Sequence, residues 1–224
     1  MNTRHTQVVN RPAAEVLRDA AEWRMIQLLF SRPVNDWSEE VASLAQEIRD
    51  VDLVAAARVS GTEASVGLFD TTFGSGGPAA PREVSYRICL DAGAFLSELS
   101  AFYTAFCFRP SPTEPPDHVN VETGFVGYLY LKKLYALQRA DVDQQSVVAD
   151  AIELFVRDHL AVFAGQLTRS LQHSGVEYLS LAASSLLRRV GPPPTREPLT
   201  FRSNPLPVLN EDDSDESSTT CGML

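Results

Sequence analysis

The sequence predicts an all-α protein, a compact multi-helix bundle. Three observations carry that prediction. Apolar residues recur at helical spacing in several separate stretches, while convincing period-two alternation and internal repeats are missing. Apolar residues also make up 44% of the 224 positions, enough to bury the core of one large domain or two small ones. No stretch approaches the ~18 consecutive apolar residues of a membrane span. The N-terminal stretch "MNTRHTQVVNRPAAEVLRDAAEW" lacks the apolar region and the small-residue cleavage site of a signal peptide. A cytoplasmic protein with no direct membrane insertion is expected.

Pro12 suits the first turn of a helix. Val16, Leu17, Ala20, Trp23, Leu28 and Phe30 give that helix a broad apolar surface, and Arg32-Pro33 ends it. Ser38, followed by Glu39 and Glu40, reads as an N-cap with acids in the first turn. The helix it opens should reach about Arg58, ahead of Gly61. Residues 59–90 cluster Gly and Pro and hold no sustained period, so a long loop with at most a short helix is expected.

Asp91 can cap the next helix, where Phe95, Leu99, Phe102 and Phe106 fall at helical spacing. "CFRPSPTEPPD" is a stiff linker, and residues 107–118 form a candidate hinge. Asp117 sits where an N-cap would sit for a strongly apolar helix running to about Arg139. A helix over roughly 144–172 follows, with Val148, Ile152, Phe155, His159, Val162 and Phe163 on one stripe and a break at Gly175. The last helix carries Leu179, Ala182, Leu186 and Val190. The helical domain is therefore expected over 1–190. Residues 191–224, Pro-rich and then acidic ("NEDDSDESSTTCGML"), read as a disordered tail.

Net charge is −10, of which −4 falls in residues 191–224. An acidic chain repels nucleic-acid phosphates, which argues against a nucleic acid partner. It attracts basic peptides, by modest and salt-screened energies. The three cysteines, Cys89, Cys107 and Cys221, are scattered and show no zinc spacing. Reduced, buried thiols are the expectation.

The ionisable residues around "TEPPDHVNVETGFVGYLYL" admit several chemistries. His118 and Glu122 are four apart, so a helix puts both on one face. A di-metal carboxylate bundle needs two Glu-x-x-His pairs and further glutamates; here His-x-x-x-Glu occurs once, and His159 adds a second imidazole. A metal-dependent helical-bundle hydrolase using His118, Glu122 and His159 is the alternative this leaves open. No G-x-S-x-G elbow and no Cys in a recognisable catalytic context exist. "FGSGGP" lacks the Lys-Ser/Thr of a P-loop, so GTP binding has no supporting motif. Helix capping accounts for Asp117, and a satisfied core or groove histidine accounts for His159. Phe125, Tyr128 and Leu129 are core residues or the lining of a groove. Spacing alone favours a binding protein over an enzyme, with no cofactor of its own.

Several ordered segments resemble one family, the TorD/DmsD/NarJ redox-enzyme maturation chaperones. "EWRMIQLLFSRP" is similar to the family's opening helix, and "FGSGGPAAPREVSYR" to its loop with Pro, an acid and then Tyr. "LSAFYTAFCFRPSPTEPPDHVNVETGFVGYLYL" is similar to its Tyr-containing helix and its Glu-x-Pro-Asp-His signature, and "FVRDHLAVFAGQL" to the His-Leu helix that follows. The likeness spans about residues 20–190. Thr123-Gly124-Phe125-Val126 departs from the family's usual Leu, variable residue, Phe and Met, and Phe163 stands where Trp is frequent. These departures suggest a divergent branch, of the kind serving dimethylsulfide or ethylbenzene dehydrogenases or chlorate or selenate reductases.

The resemblance implies an all-helical TorD-like cytoplasmic chaperone. Its partner would be the catalytic-subunit precursor of a molybdopterin oxidoreductase, bound through the twin-arginine signal peptide until the client's cofactor is inserted. Such chaperones occur as monomers or helix-exchanged dimers. A peptide with a basic end and an apolar middle needs an apolar groove with acids at one rim. The expected arrangement places Asp117 and Glu122 on that rim. Pro116 and His118 would shape the adjoining turn, Phe125 and Leu129 would floor the groove, and His159 would lie nearby.

Overall fold

The computed structural model describes residues 11–87 and 91–193. The chain divides into two compact units, Met1–Pro194 and Thr195–Leu224. The second unit, with the acidic tail and Cys221, lies outside the described residues, as does Cys89.

The fold is all-α. Helix α1 is Arg11–Leu29, α2 Trp37–Leu44, α3 Val51–Glu63, α4 Val66–Phe73, α5 Ala92–Ala105, α6 Val119–Gln138, α7 Val142–Phe155, α8 Ala161–Ser174 and α9 Glu177–Val190. A 3₁₀ turn occupies Glu83–Tyr86, and a π turn, Val156–Leu160, joins α7 to α8. Among the described residues the only β pairing is an isolated antiparallel bridge between Arg82 and His118.

Two expectations about helix boundaries are corrected. The helix expected from Ser38 to Arg58 is two helices. The Asp50 carboxylate accepts from the Asp52 and Leu53 N–H groups and so starts α3 afresh. Glu22 of α1 reaches across to accept from the Arg49 and Asp50 N–H groups. The long loop expected at 59–90 is mostly helical. Helix α3 runs on to Glu63, Ser65 caps α4 at Leu68, and irregular chain is left chiefly around the Gly-Ser-Gly-Gly turn.

Other boundaries fall where the sequence put them. Asp91 accepts from Gly93 and Ala94 to cap α5, and Gly175 ends α8 at φ 77, the left-handed conformation glycine adopts without strain. The helix expected over 144–172 exists but is interrupted at its middle by the π turn, which carries His159. Cys107 is exposed, contrary to the expectation of a buried thiol. It takes the left-handed position after α5, where Phe108 N–H closes onto the Tyr103 carbonyl.

Helix α6 is the centre of the bundle. From Val119 to Gly127 every residue is buried, and Leu129 follows. Its main neighbours are α1 and α7. Helices α1 and α6 meet over glycine: a Cβ at Gly124 would come within 2.6 Å of the end of the Gln27 side chain. On the far side, Phe125 packs among Phe102, Tyr103, Phe106, Phe108 and Phe155, with ring centroids 4.8–6.1 Å away. Charged pins hold the periphery. Arg189 of α9 bonds Glu22 at 2.6 Å and Asp50 at 3.1 Å, tying α9 to α1 and to the start of α3. The Glu63 carboxylate caps α9 by accepting from Glu177 and Tyr178 N–H.

Candidate functional site

The Pro-Asp-His segment is the strand-like half of a clasp. Residues 79–87 form the other half. Glu83 N–H donates to the Asp117 carbonyl at 2.9 Å, and Val119 N–H to the Pro81 carbonyl at 2.8 Å. Side chains reinforce these backbone bonds. Arg82 Nε donates to Asp117 Oδ1 at 2.9 Å, and Val84 N–H to Asp117 Oδ2 at 3.2 Å. Tyr103 of α5 donates its hydroxyl to the Pro116 carbonyl at 2.7 Å.

This geometry corrects the expected cap of α6. Asp117 is fully buried and is engaged by Arg82 and Val84, so it is not free to cap the helix. His118 is the cap: its Nδ1 accepts from Asn120 N–H at 3.2 Å. Burial pushes the imidazole down to about 4, so the ring is neutral, as an accepting Nδ1 requires.

Beneath the clasp lies a second layer of ionisable groups. Glu83, fully buried, bonds Arg87 Nε at 2.6 Å and faces His159 Nδ1 at 3.0 Å. Arg87 also donates to the Asp158 carbonyl in the π turn and lies over the Phe95 ring, 4.9 Å from its centroid. Glu122 points into the same interior. No protein atom stands at bonding geometry to either of its carboxylate oxygens. The Glu83 carboxylate is nonetheless near enough to act on it by charge and by proton sharing. Burial first, then the Glu83 and Asp117 charges, raise the Glu122 carboxyl well above its ordinary 4.5. Tyr103, pressed by the same burial and the same three carboxyl groups, is also raised.

The expected open groove therefore does not form from the expected residues. Asp117, His118, Glu122, Phe125, Leu129 and His159 are all buried, and Pro116 is half-buried. The structure brings Asp117, Glu122 and His159 together around Glu83, as an interior cluster and not an acidic rim. Phe125 belongs to the aromatic core, and Leu129 lies one turn farther along α6. The alternative of a metal-dependent hydrolase has no support in the geometry. Among the described residues no group of three or more His, Cys, Asp or Glu side chains could hold a metal ion. Sequence reasoning missed Arg82, Glu83, Arg87 and Tyr103. Arg82, Glu83 and Arg87 lie together in "PREVSYR", a charged run inside the Gly/Pro-rich stretch.

Surface clefts lie along α1 and at its C-terminal end. One of about 350 Å³ is lined by Ser31, Phe108, Pro110, Glu114, Asn120 and Val121, among others. A second of about 390 Å³ runs along the α1–α6 seam, over Ala20, Gly124, Gly127, Tyr128 and Leu131; Gln27 and Phe108 line both. Arg24 stands at the edge of the second cleft and also lines a third, of about 450 Å³, on the α2 side of α1. The third contains the exposed carboxylates of Asp36, Glu39, Glu40 and Glu47, with Leu28 and Leu44 between them. No helix among the described residues is long and apolar enough to cross a membrane.

The sequence model described as nitrate reductase delta subunit matches residues 34–169, more than half of the chain. Comparison with curated proteins gives no significant match. The matched region holds the clasp, the buried cluster and α6 together. The family consists of redox-enzyme maturation chaperones that act with molybdoenzyme catalytic subunits and are not themselves catalysts. On that match, this chain belongs to the nitrate reductase delta subunit family, the NarJ/TorD-type chaperones.

Proposed function

We propose that this chaperone binds the precursor of a molybdopterin-containing oxidoreductase through a twin-arginine signal peptide laid across α1, and holds it in the cytoplasm until the cofactor is in place. One observation carries this reading: an acidic cleft and an apolar seam flank the same helix and meet at Arg24. A twin-arginine peptide has the matching order, a basic end followed by an apolar middle. Carboxylates of Glu39 and Glu47 would meet the arginines, and Phe108, Tyr128 and Leu131 would meet the apolar run.

Burial of roughly 400 Å² of apolar surface at ~25 cal/mol/Å² contributes about 10 kcal/mol before costs. Lost freedom and peptide ordering offset much of that, leaving micromolar to sub-micromolar affinity. The charges then select the partner more than they hold it. In this reading the Pro116-Asp117-His118 turn, with Glu122 and His159 behind it, lines none of these clefts itself but holds in place the connection that carries Phe108 and Glu114 to them. Phe125 and Leu129 hold α6 in place beneath it.

Titration of a twin-arginine peptide, followed by calorimetry at two salt concentrations, tests the surface. The double variant Glu39→Gln/Glu47→Gln should weaken binding and flatten its salt dependence. Leu131→Asp should weaken it at both salts. Wild-type affinity in both variants would remove this surface from the proposal.

A further inference from the structure

A carboxyl group sealed in a protein interior without a hydrogen-bond partner is costly to keep. Glu122 is such a group once ionised: it is fully buried, no donor reaches either oxygen, and the neighbouring Glu83 carboxylate can only share its proton. Packing or capping alone does not call for an acid there, since a leucine would fill the same place on α6 without a polar group to satisfy.

The ionisable groups around it come from every neighbouring element. Glu83 and Arg87 face it from the 3₁₀ segment, Asp117 from the α5–α6 connection and Tyr103 from α5. His159 of the π turn stands behind Glu83, Arg82 is bonded to Asp117, and His118 caps the helix that carries Glu122. The cations in this set are engaged: Arg87 bonds Glu83 and Arg82 bonds Asp117. An ionised Glu122 would add a third carboxylate to a dry interior.

We propose that the clasp between residues 79–87 and 115–119 is a proton-linked latch, closed while Glu122 is a neutral carboxylic acid beside the Glu83 carboxylate and opened when that proton leaves. In opening, the Glu122 O–H bond breaks, the proton passes to water, and the carboxylate left behind is repelled by Glu83 until it is hydrated. Closing takes one proton back. Burial and the neighbouring negative charges place this exchange on the alkaline side of an ordinary carboxyl. The latch has a mechanical consequence, because the connection it fastens supplies Phe108, Pro110 and Glu114 to the clefts beside α1. That the consequence bears on a client rests on the peptide-binding reading; the latch itself does not.

Amide hydrogen exchange on the full chain, without any peptide, tests the latch directly. Glu83, Val84 and Val119 N–H bond across the clasp and report its opening. After correction for intrinsic exchange, wild-type protection at these amides should fall about tenfold per pH unit as the pH rises through the proton-release range, the slope of one proton. In Glu122→Gln, protection should be independent of pH over the same range. Flat wild-type protection, or an equal slope in Glu122→Gln, would overturn the latch. Should the variant not fold, the infrared spectrum of wild-type protein carrying ¹³C-labelled glutamate decides. A protonated carboxyl band that persists above the pH range where ordinary carboxyls ionise supports the latch, and its absence there refutes it.

Discussion

Glu83 and His159 are 76 positions apart in the chain and meet in the interior with 3.0 Å between Oε2 and Nδ1. That contact fastens the 3₁₀ segment to the π turn and, through the Glu83 backbone, to Asp117. Truncation of Glu83 strands Arg87 and His159 in a dry site. Glu83→Ala should therefore cost about 3–5 kcal/mol in urea unfolding. Glu83→Gln should cost clearly less, because it keeps a side chain that can hydrogen-bond Arg87 and His159.

His118 makes stability fall with acid. Its folded value, about 4, lies below the ordinary 6.5, so the fold favours the neutral ring. Its contribution is complete above pH 6.5 and is lost as the pH drops from 6.5 toward 4, about 3 kcal/mol in all. His118→Asn retains a capping side chain and should flatten the loss over that window. Glu122 tilts stability the opposite way: its raised value favours the fold at low pH and withdraws that advantage as pH rises above 4.5. The difference between wild-type and His118→Asn melting curves isolates the histidine.

Two glycines on α6 should respond differently to alanine. At Gly127 the new Cβ would lie 3.4 Å from Trp23 Cβ and 3.5 Å from the Arg24 nitrogen, ordinary contact. Gly127→Ala should stabilise by about 0.5–1 kcal/mol through reduced backbone freedom in the unfolded chain. At Gly124 the Cβ would meet the end of the Gln27 side chain at 2.6 Å. Gln27 must swing away and give up its 2.8 Å bond from Arg24, so Gly124→Ala should gain less than Gly127→Ala. Thermal unfolding of both variants checks the order.

Arg189 serves two buried or half-buried acids at once. Removing it leaves Glu22, 6% exposed, with only its two backbone N–H partners. Arg189→Ala should cost about 3 kcal/mol. A double-mutant cycle with Glu22→Gln should show a coupling of at least about 1 kcal/mol, since the two side chains touch.

Local signals decided what could be read in advance. Asp91 before α5 and Gly175 after α8 act through backbone geometry within a few residues, and both were legible. Ser38 misled: the helix there starts at Trp37, after Asp36, and stops at Leu44, and residues 49–50 are held out of it both by the local Asp50 cap and by Glu22 of another helix, which no local window contains. The expected rim misled for a related reason. Asp117 and Glu122 look like surface acids in a linear chain, but Arg82 and Glu83, more than thirty positions earlier, fold over them.

The order of apolar and capping residues by itself determined that this chain is helical and where most of its helices lie, while its resemblance to the chaperone family rested on particular motif segments. Periodicity and caps are properties of neighbours in the chain, so they survive without coordinates. Only the tertiary structure decided that the Pro-Asp-His turn faces inward, that His118 and not Asp117 caps α6, and that no donor reaches Glu122. Those outcomes depend on which distant groups arrive first at a carboxylate once water is expelled, and a side chain's spacing along the chain carries no record of that competition.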